Sequence, residues 1–189
     1  IKALKKFNIP LSIDTYKANV AEECLKHGVN IINDISALSD PDMAKIAVKY
    51  NAPVIIMHMR GKPKTMQNNP EYKHVIDDIY DFLEKRVHYA HQQGIKQLMI
   101  DPGIGFGKTF KDNHNIIRNL NTFSSLGLPI TFGASRKSFI ADIAGDDGRI
   151  LGTIAANSIA IMNCANVIRV HDLNEAKITA AIADRIMEE

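Results

Sequence analysis

Six short apolar runs recur along the chain, and each stops at a residue able to do chemistry. Leu11-Ser12-Ile13 stops at Asp14, Ile31-Ile32 at Asn33-Asp34, and Val54-Ile55-Ile56-Met57 at His58. Leu98-Met99-Ile100 stops at Asp101, Pro129 to Gly133 leads into Ser135-Arg136-Lys137, and Val167-Ile168 leads into Arg169 and then His171-Asp172. Parallel strands covered on both faces read as continuous apolar stretches rather than alternating ones. The pattern therefore predicts six parallel strands whose polar ends share one rim, the rim where α/β proteins keep their sites.

Between these runs the spacing turns helical. Lys17 to His27 gathers Val20, Ala21, Cys24 and Leu25 on one face, and Gly28 stops it. Asp40-Pro41-Asp42 supplies an N-cap with proline in the first turn of a helix reaching Tyr50. A loop, Met59 to Pro70, carries Arg60, Lys62, Lys64 and Gln67. Helices are then predicted over 71–93, closed by Gly94, over 111–126, from the Ser135-Arg136-Lys137 turn to Ile143, over 149–163 and over 173–187. The first seven residues, Ile1 to Phe7, read as the last turns of a helix whose beginning is missing. Strand and helix alternate six times within one domain, 1–189, which argues a parallel sheet with right-handed crossovers. An open doubly wound sheet would carry a glycine-rich turn after its first strand, but Asp14-Thr15-Tyr16-Lys17 follows instead. A (β/α)₈ TIM barrel needs about 250 residues, so the reading is a barrel of which the chain holds the last six units.

Composition narrows the class without naming a function. Among 189 residues, a net charge of +2 gives no electrostatic footprint for nucleic acid or a membrane surface. No apolar stretch is long enough to span a bilayer. Cys24 and Cys164 lie far apart within predicted helices and read as buried thiols, which suits a reducing cytoplasm.

The chemistry is concentrated at the strand ends. Asp14, Asn33 and Asp101 come from different strands, and an amide with two carboxylates can read a flat heterocycle bearing N–H and C=O groups. Asp101-Pro102-Gly103-Ile104-Gly105-Phe106-Gly107-Lys108 places three glycines alternately, a backbone suited to positive φ or a close approach, though its spacing is not that of a dinucleotide or P-loop fingerprint. Ser135-Arg136-Lys137-Ser138 sets hydroxyls and cations at a strand-to-helix junction, an anion site in principle. Arg169 and His171 alternate with Ile168 and Val170 and so point one way if the strand continues through them. Lys137 and Arg169 together suggest a multiply charged anion such as pyrophosphate. The bland alternative is salt bridging of Arg136 or Arg169 with Asp172 or Asp34. His58 divides evenly between structural and catalytic readings, and His88 with His91 on the long helix reads as a solvated face rather than a metal pair.

In this order the motifs resemble the dihydropteroate synthase family: Ser12 to Lys17, Ile31 to Ile35, Met57-His58-Met59 with Pro63-Lys64-Thr65-Met66-Gln67, Asp101 to Lys108, Ser135 to Ser138 and Arg169 to Asp172. The resemblance implies a (β/α)₈ barrel that joins 6-hydroxymethyl-7,8-dihydropterin diphosphate to p-aminobenzoate, releasing pyrophosphate and forming dihydropteroate with Mg²⁺ as cofactor. Position by position, it implies Asp14, Asn33 and Asp101 as pterin readers and Ile35, Met57 and Phe106 as packing around the ring. Lys137 would contact the pterin and frame the p-aminobenzoate pocket with Ser135. Asn33, Arg169 and His171 would hold the diphosphate, and Lys137, Asp101 and Asp14 would carry catalysis. A cytoplasmic homodimer paired through the last helices is also implied. Two other readings stand beside it: a non-catalytic or partner-dependent pterin-binding fragment, and a pterin-dependent methyltransferase barrel, which would have no diphosphate to hold.

The family begins with two βα units bearing an Asn-containing Mg²⁺ loop and a Thr-Arg loop, and nothing in this chain matches either. The Mg²⁺ ligand is therefore expected outside these residues. A six-unit barrel would expose two strand edges and apolar helix faces, so the segment by itself is expected to be unstable. Purified alone, it should self-associate or melt without cooperativity, and a monomer with one sharp thermal transition would contradict this.

Overall fold

The computed structural model describes residues 1–61, 63 and 65–188. Lys62 and Lys64 of the predicted basic loop lie outside the described residues. The chain divides into two compact units, one formed by 1–58 with 81–101 and the other by 59–80 with 102–189.

The first unit carries β1 (Ser12–Asp14), α1 (Ala18–Lys26), β2 (Ile31–Asp34), α2 (Pro41–Tyr50), β3 (Val54–Met57) and β4 (Leu98–Asp101). Its strands pair in chain order, all parallel, with Asp14 beside Asn33, Asp34 beside Ile56 and Met57 beside Asp101. Register, not sequence distance, thus decides which strand-end side chains become neighbours. Helix α2 begins as its sequence dictates: the Asp40 side chain accepts from the Asp42 amide, with Pro41 in the first turn. Continuous burial holds for β3 and fails for β1, where Ser12 and Asp14 are exposed. Strand β1 pairs with β2, and only a strand flanked on both sides and covered on both faces needs to be apolar throughout.

Helix α3 (Val75–Gln92) passes from the second unit into the first and starts four residues later than its periodicity suggests. The Asp78 carboxylate there accepts from the Lys73 amide, so the preceding residues are held outside the helix. Gly94 follows with φ +90°.

The second unit carries α4 (Phe110–Arg118), β5 (Ile130–Phe132), α5 (Ser138–Ala144), α6 (Arg149–Met162), β6 (Ala165–Ile168) and α7 (Leu173–Met187). The helix predicted over 111–126 is two elements, α4 and a 3₁₀ stretch from Leu120 to Leu126. The Asn119 side chain donates to the Asn115 carbonyl at 2.9 Å and competes with the backbone ladder there. Strands β5 and β6 are parallel, with a bulge after Ile130 whose amide donates to the Asn166 side chain at 2.8 Å. Strand β6 is partly exposed along its length, another departure from a run buried on both faces. Cys164 is not a buried helical thiol: it lies past the end of α6, exposed, at φ +73°. Cys24, in α1, is half-buried. At the start of the chain only Lys5–Phe7 forms a turn of 3₁₀ helix.

The turn after β2 is the most constrained piece of the first unit. Ala37 and Leu38 are consecutive non-glycine residues with φ +52° and +63°, a conformation costing roughly 1–2 kcal/mol each. Asp34, wholly buried, offsets that cost. One carboxylate oxygen accepts from the Ser36 amide and hydroxyl at 2.8 and 2.7 Å, and the other from the Leu38 amide at 2.8 Å. Arg86 of α3 closes the turn from outside, donating to the Ala37 and Leu38 carbonyls at 2.6 and 2.8 Å. Burial raises the Asp34 pKa, while the Ser36 and Leu38 bonds and the Arg86 charge pull it back. Asp34→Ala strands buried amides and should lower unfolding free energy by about 3 kcal/mol, read as a fall in the urea midpoint.

Candidate functional site

In the first unit, Asp14, the last residue of β1, is the register partner of Asn33 on β2, so the two point to the same side and meet. The Asn33 amide nitrogen donates to Asp14 at 3.0 Å, and Asn33 is buried while Asp14 reaches solvent. Asn33 and Asp34 alternate as strand residues must: the first faces Asp14, and the second turns to the loop it organises. Asp101 ends β4 at 3% exposure, in register with the equally buried Met57. Ile35 follows directly, half-buried, in the turn held by Asp34. His58 is buried, its amide donating to the Asp101 carbonyl at 2.9 Å and its ring edge-on to Phe82 at 4.9 Å. His88 and His91 are exposed on α3, the His88 Nε2 lying 2.8 Å from the Gln92 amide.

In the second unit a basic, hydroxyl-bearing cluster forms where β5 and β6 end. Ser135 Oγ lies 2.9 Å from His171 Nδ1 and accepts from the His171 amide at 3.2 Å. Strand β6 ends at Ile168, so Arg169 and His171 lie just beyond it, and exposure still alternates, with both more exposed than Ile168 and Val170. The Arg169 amide still donates to the Phe132 carbonyl at 2.8 Å, and its guanidinium packs over Gly133, where a Cβ would sit 3.4 Å from Nε. Arg136 is not available to an anion as a bare cation: its guanidinium pairs with Asp172, with Nε 3.0 Å from a carboxylate oxygen. This is the salt bridge that the sequence left as the bland alternative.

Lys137 turns toward the glycine loop. Its ammonium donates to the Ile104 carbonyl and lies 4.8 Å from the centre of the Phe106 ring. Gly105, at φ +78°, makes room for that stem, since a Cβ there would come within 2.9 Å of Lys137 Cδ. Gly107 meets backbone: a Cβ would fall 2.2 Å from the Arg60 carbonyl oxygen. The long loop after β3 is tied to the same glycines. Tyr72 donates to the Gly107 carbonyl at 2.7 Å, Gln67 donates to the Gly105 carbonyl, and Arg60 stacks over the Tyr72 ring at 4.7 Å. Burial raises the Tyr72 pKa, so the phenol stays a donor.

Sequence reasoning assembled the strand-end residues but missed those that hold the adjoining loops: Asp34 as a turn organiser, Arg86 at the Ala37 and Leu38 carbonyls, and Tyr72 at the Gly107 carbonyl. The nearest signal was Asp34 itself, a second acidic position at a strand end. The others lie on helices and loops with nothing local to mark them.

A model of the family described as pterin binding enzyme matches residues 1–171. The chain is 44% identical to a Clostridium beijerinckii protein named dihydropteroate synthase, covering 99% of this chain and 70% of the relative. Against the Haemophilus influenzae protein of the same name, identity is 42% over 89% of this chain and 62% of the relative. The chain thus spans roughly two thirds of these relatives' length. Among solved structures, Yersinia pestis dihydropteroate synthase with a sulfonamide drug complex superposes with TM-score 0.94 at 35% identity, covering 99% of this chain and 70% of that one. Thermus thermophilus dihydropteroate synthase in complex with 6HMPPP gives TM-score 0.94 at 33% identity, over 98% of this chain and 76% of that one.

The Arg136–Asp172 pair makes a testable electrostatic statement. Arg136 holds the Asp172 carboxyl below its ordinary value of 3.8, chiefly through their hydrogen bond. A lowered carboxyl stabilises the fold above the unfolded value, and that contribution fades as pH falls through the folded one. Asp172→Asn should therefore flatten the acid side of the Tm–pH curve below about pH 4, measured by calorimetry.

Proposed function

This chain belongs to the pterin-binding enzyme family, and from that premise we propose that it serves dihydropteroate synthase chemistry in folate biosynthesis. The substrates of this proposal are 6-hydroxymethyl-7,8-dihydropterin diphosphate and p-aminobenzoate. Its fold is a (β/α)₈ barrel to which the six strand–helix units here belong. The reading rests above all on the Asn33–Asp14 hydrogen bond at 3.0 Å, which puts a carboxylate and an amide side by side at register-paired positions of adjacent strands. Such a pair suits a flat ring with adjacent N–H and C=O groups.

The roles then follow from chemistry. Asp14, Asn33 and Asp101 bind the pterin edge, with Ile35 and Met57 against its faces. Carboxylates beside an electron-rich ring favour the positive charge that develops at its exocyclic methylene. Arg169 and His171 hold the diphosphate and stabilise the charge it takes on leaving. Ser135 and Lys137 frame the p-aminobenzoate pocket and present its nitrogen to the methylene carbon. The carbon–oxygen bond to diphosphate breaks, the carbon–nitrogen bond forms, pyrophosphate departs, and the arylamine proton passes to solvent. Mg²⁺ belongs to the same proposal as a counter-ion of the diphosphate. Among the described residues no three candidate acidic, His or Cys ligands come together, so no residue of the chain is assigned to it and no step runs through it.

A cytoplasmic homodimer completes the proposal. Leu151 and Met162 of α6 and Leu173, Ile178, Ile182 and Ile186 of α7 are exposed apolar residues, a surface that suits a second copy. The diphosphate anchors favour synthase over methyl transfer. Pyrophosphate release that depends on added p-aminobenzoate separates the two, and its absence would refute the synthase reading. In the full-length enzyme Lys137→Ala should lower kcat/KM by at least about a hundredfold. A near-normal value would remove Lys137 from the site.

A further inference from the structure

We propose that Thr153 and Arg149, on the first turns of α6, are positioning residues that set the direction of Ser135 and Lys137. The inference rests on the roles of those two residues given above. Arg136 stands between them at φ +57°, a left-handed backbone costing a non-glycine residue roughly 1–2 kcal/mol. Such a conformation persists where the surroundings over-determine it, and here they do. The Arg136 amide donates to Thr153 Oγ1 at 3.0 Å, and its carbonyl accepts from Arg149 Nη1 at 2.6 Å. The guanidinium is held by Asp172.

Both backbone partners are themselves fixed. Thr153, 3% exposed, donates its hydroxyl proton to the Arg149 carbonyl at 2.7 Å, which leaves the oxygen to accept Arg136. Arg149 is braced by Asp146, with Nε 2.8 Å from its carboxylate. Gly152, between them in sequence, seats α6 on α5 so closely that a Cβ would lie 2.4 Å from Ile140 Cγ2. Helix α6 thus carries a rigid two-point clamp for the peptide units on either side of one left-handed residue. Rotating that residue back to ordinary φ would swing Lys137 from the Ile104 carbonyl and the Phe106 ring. It would also separate the Ser135 hydroxyl from His171. Arg149 and Thr153 act through the backbone of Arg136 and touch no group assigned to substrate.

Steady-state kinetics of the full-length enzyme tests this with Thr153→Val, which keeps shape and loses the hydroxyl, and Thr153→Ser, which restores it. Thr153→Val should raise KM for p-aminobenzoate about tenfold. KM for the pterin diphosphate, held also by Asp14, Asn33 and Asp101, should move less than about threefold. Thr153→Ser should return both to near wild type. Arg149→Met, at a partly exposed side chain, guards against a Thr153→Val protein that does not fold and should show the same split. Unchanged KM values, or a uniform loss of activity without the split, would overturn the inference while leaving the synthase reading intact. A wild-type enzyme that releases no pyrophosphate would overturn both.

Discussion

Polar groups at the ends of buried parallel strands have given up most of their water, and each must recover hydrogen bonds from chain nearby. In the first unit that requirement builds the loop after β2. Asp34 is fully buried, so its carboxylate recruits the Ser36 amide and hydroxyl and the Leu38 amide. The recruitment forces two left-handed residues, and Arg86 completes their carbonyls. Asn33, one position earlier on the opposite face, is left to Asp14. The same demand operates in the second unit, where Ser135, buried in the turn that follows β5, takes His171 as its partner. The left-handed Arg136 beside it is satisfied at its amide, its carbonyl and its guanidinium.

This economy explains why the two units differ in chemistry while sharing a construction. The first presents carboxylates and an amide, acceptors and one donor set at the level of parallel strand ends. The second presents hydroxyl, imidazole and cations, with Lys137 laid across Gly105, which has no side chain to obstruct it. Acceptors suit a heterocyclic edge, and cations suit an anion.

Much of this was legible residue by residue. The Asp40-Pro41 start of α2, the stops at Gly28 and Gly94, and the strand-end positions of Asp14, Asn33, Met57 and Asp101 depend on local preferences and on the apolar runs. Three expectations failed for one shared reason. The helix over 111–126 breaks because the Asn119 side chain competes for a carbonyl, and the helix after Pro70 starts late because Asp78 captures the Lys73 amide. The last strand ends before Arg169 and His171, and His171 is instead oriented by Ser135, 36 residues away. In each case a side-chain partner decided the backbone, and periodicity carries no information about partners.

The sequence by itself determined the alternation of elements, the caps and stops of several helices, and which reactive residues stand at strand ends. These follow from propensities and burial patterns that act over a few residues. Only the tertiary structure decided that Arg136 is bound to Asp172, that Asp34 serves its own loop, and that Lys137 reaches over Gly105 rather than into solvent. Those outcomes depend on strand register and on left-handed turns clamped from α3 and α6. Hydrogen bonds and ion pairs are settled by proximity within a few ångströms, and proximity between residues dozens of positions apart exists only once the chain has folded.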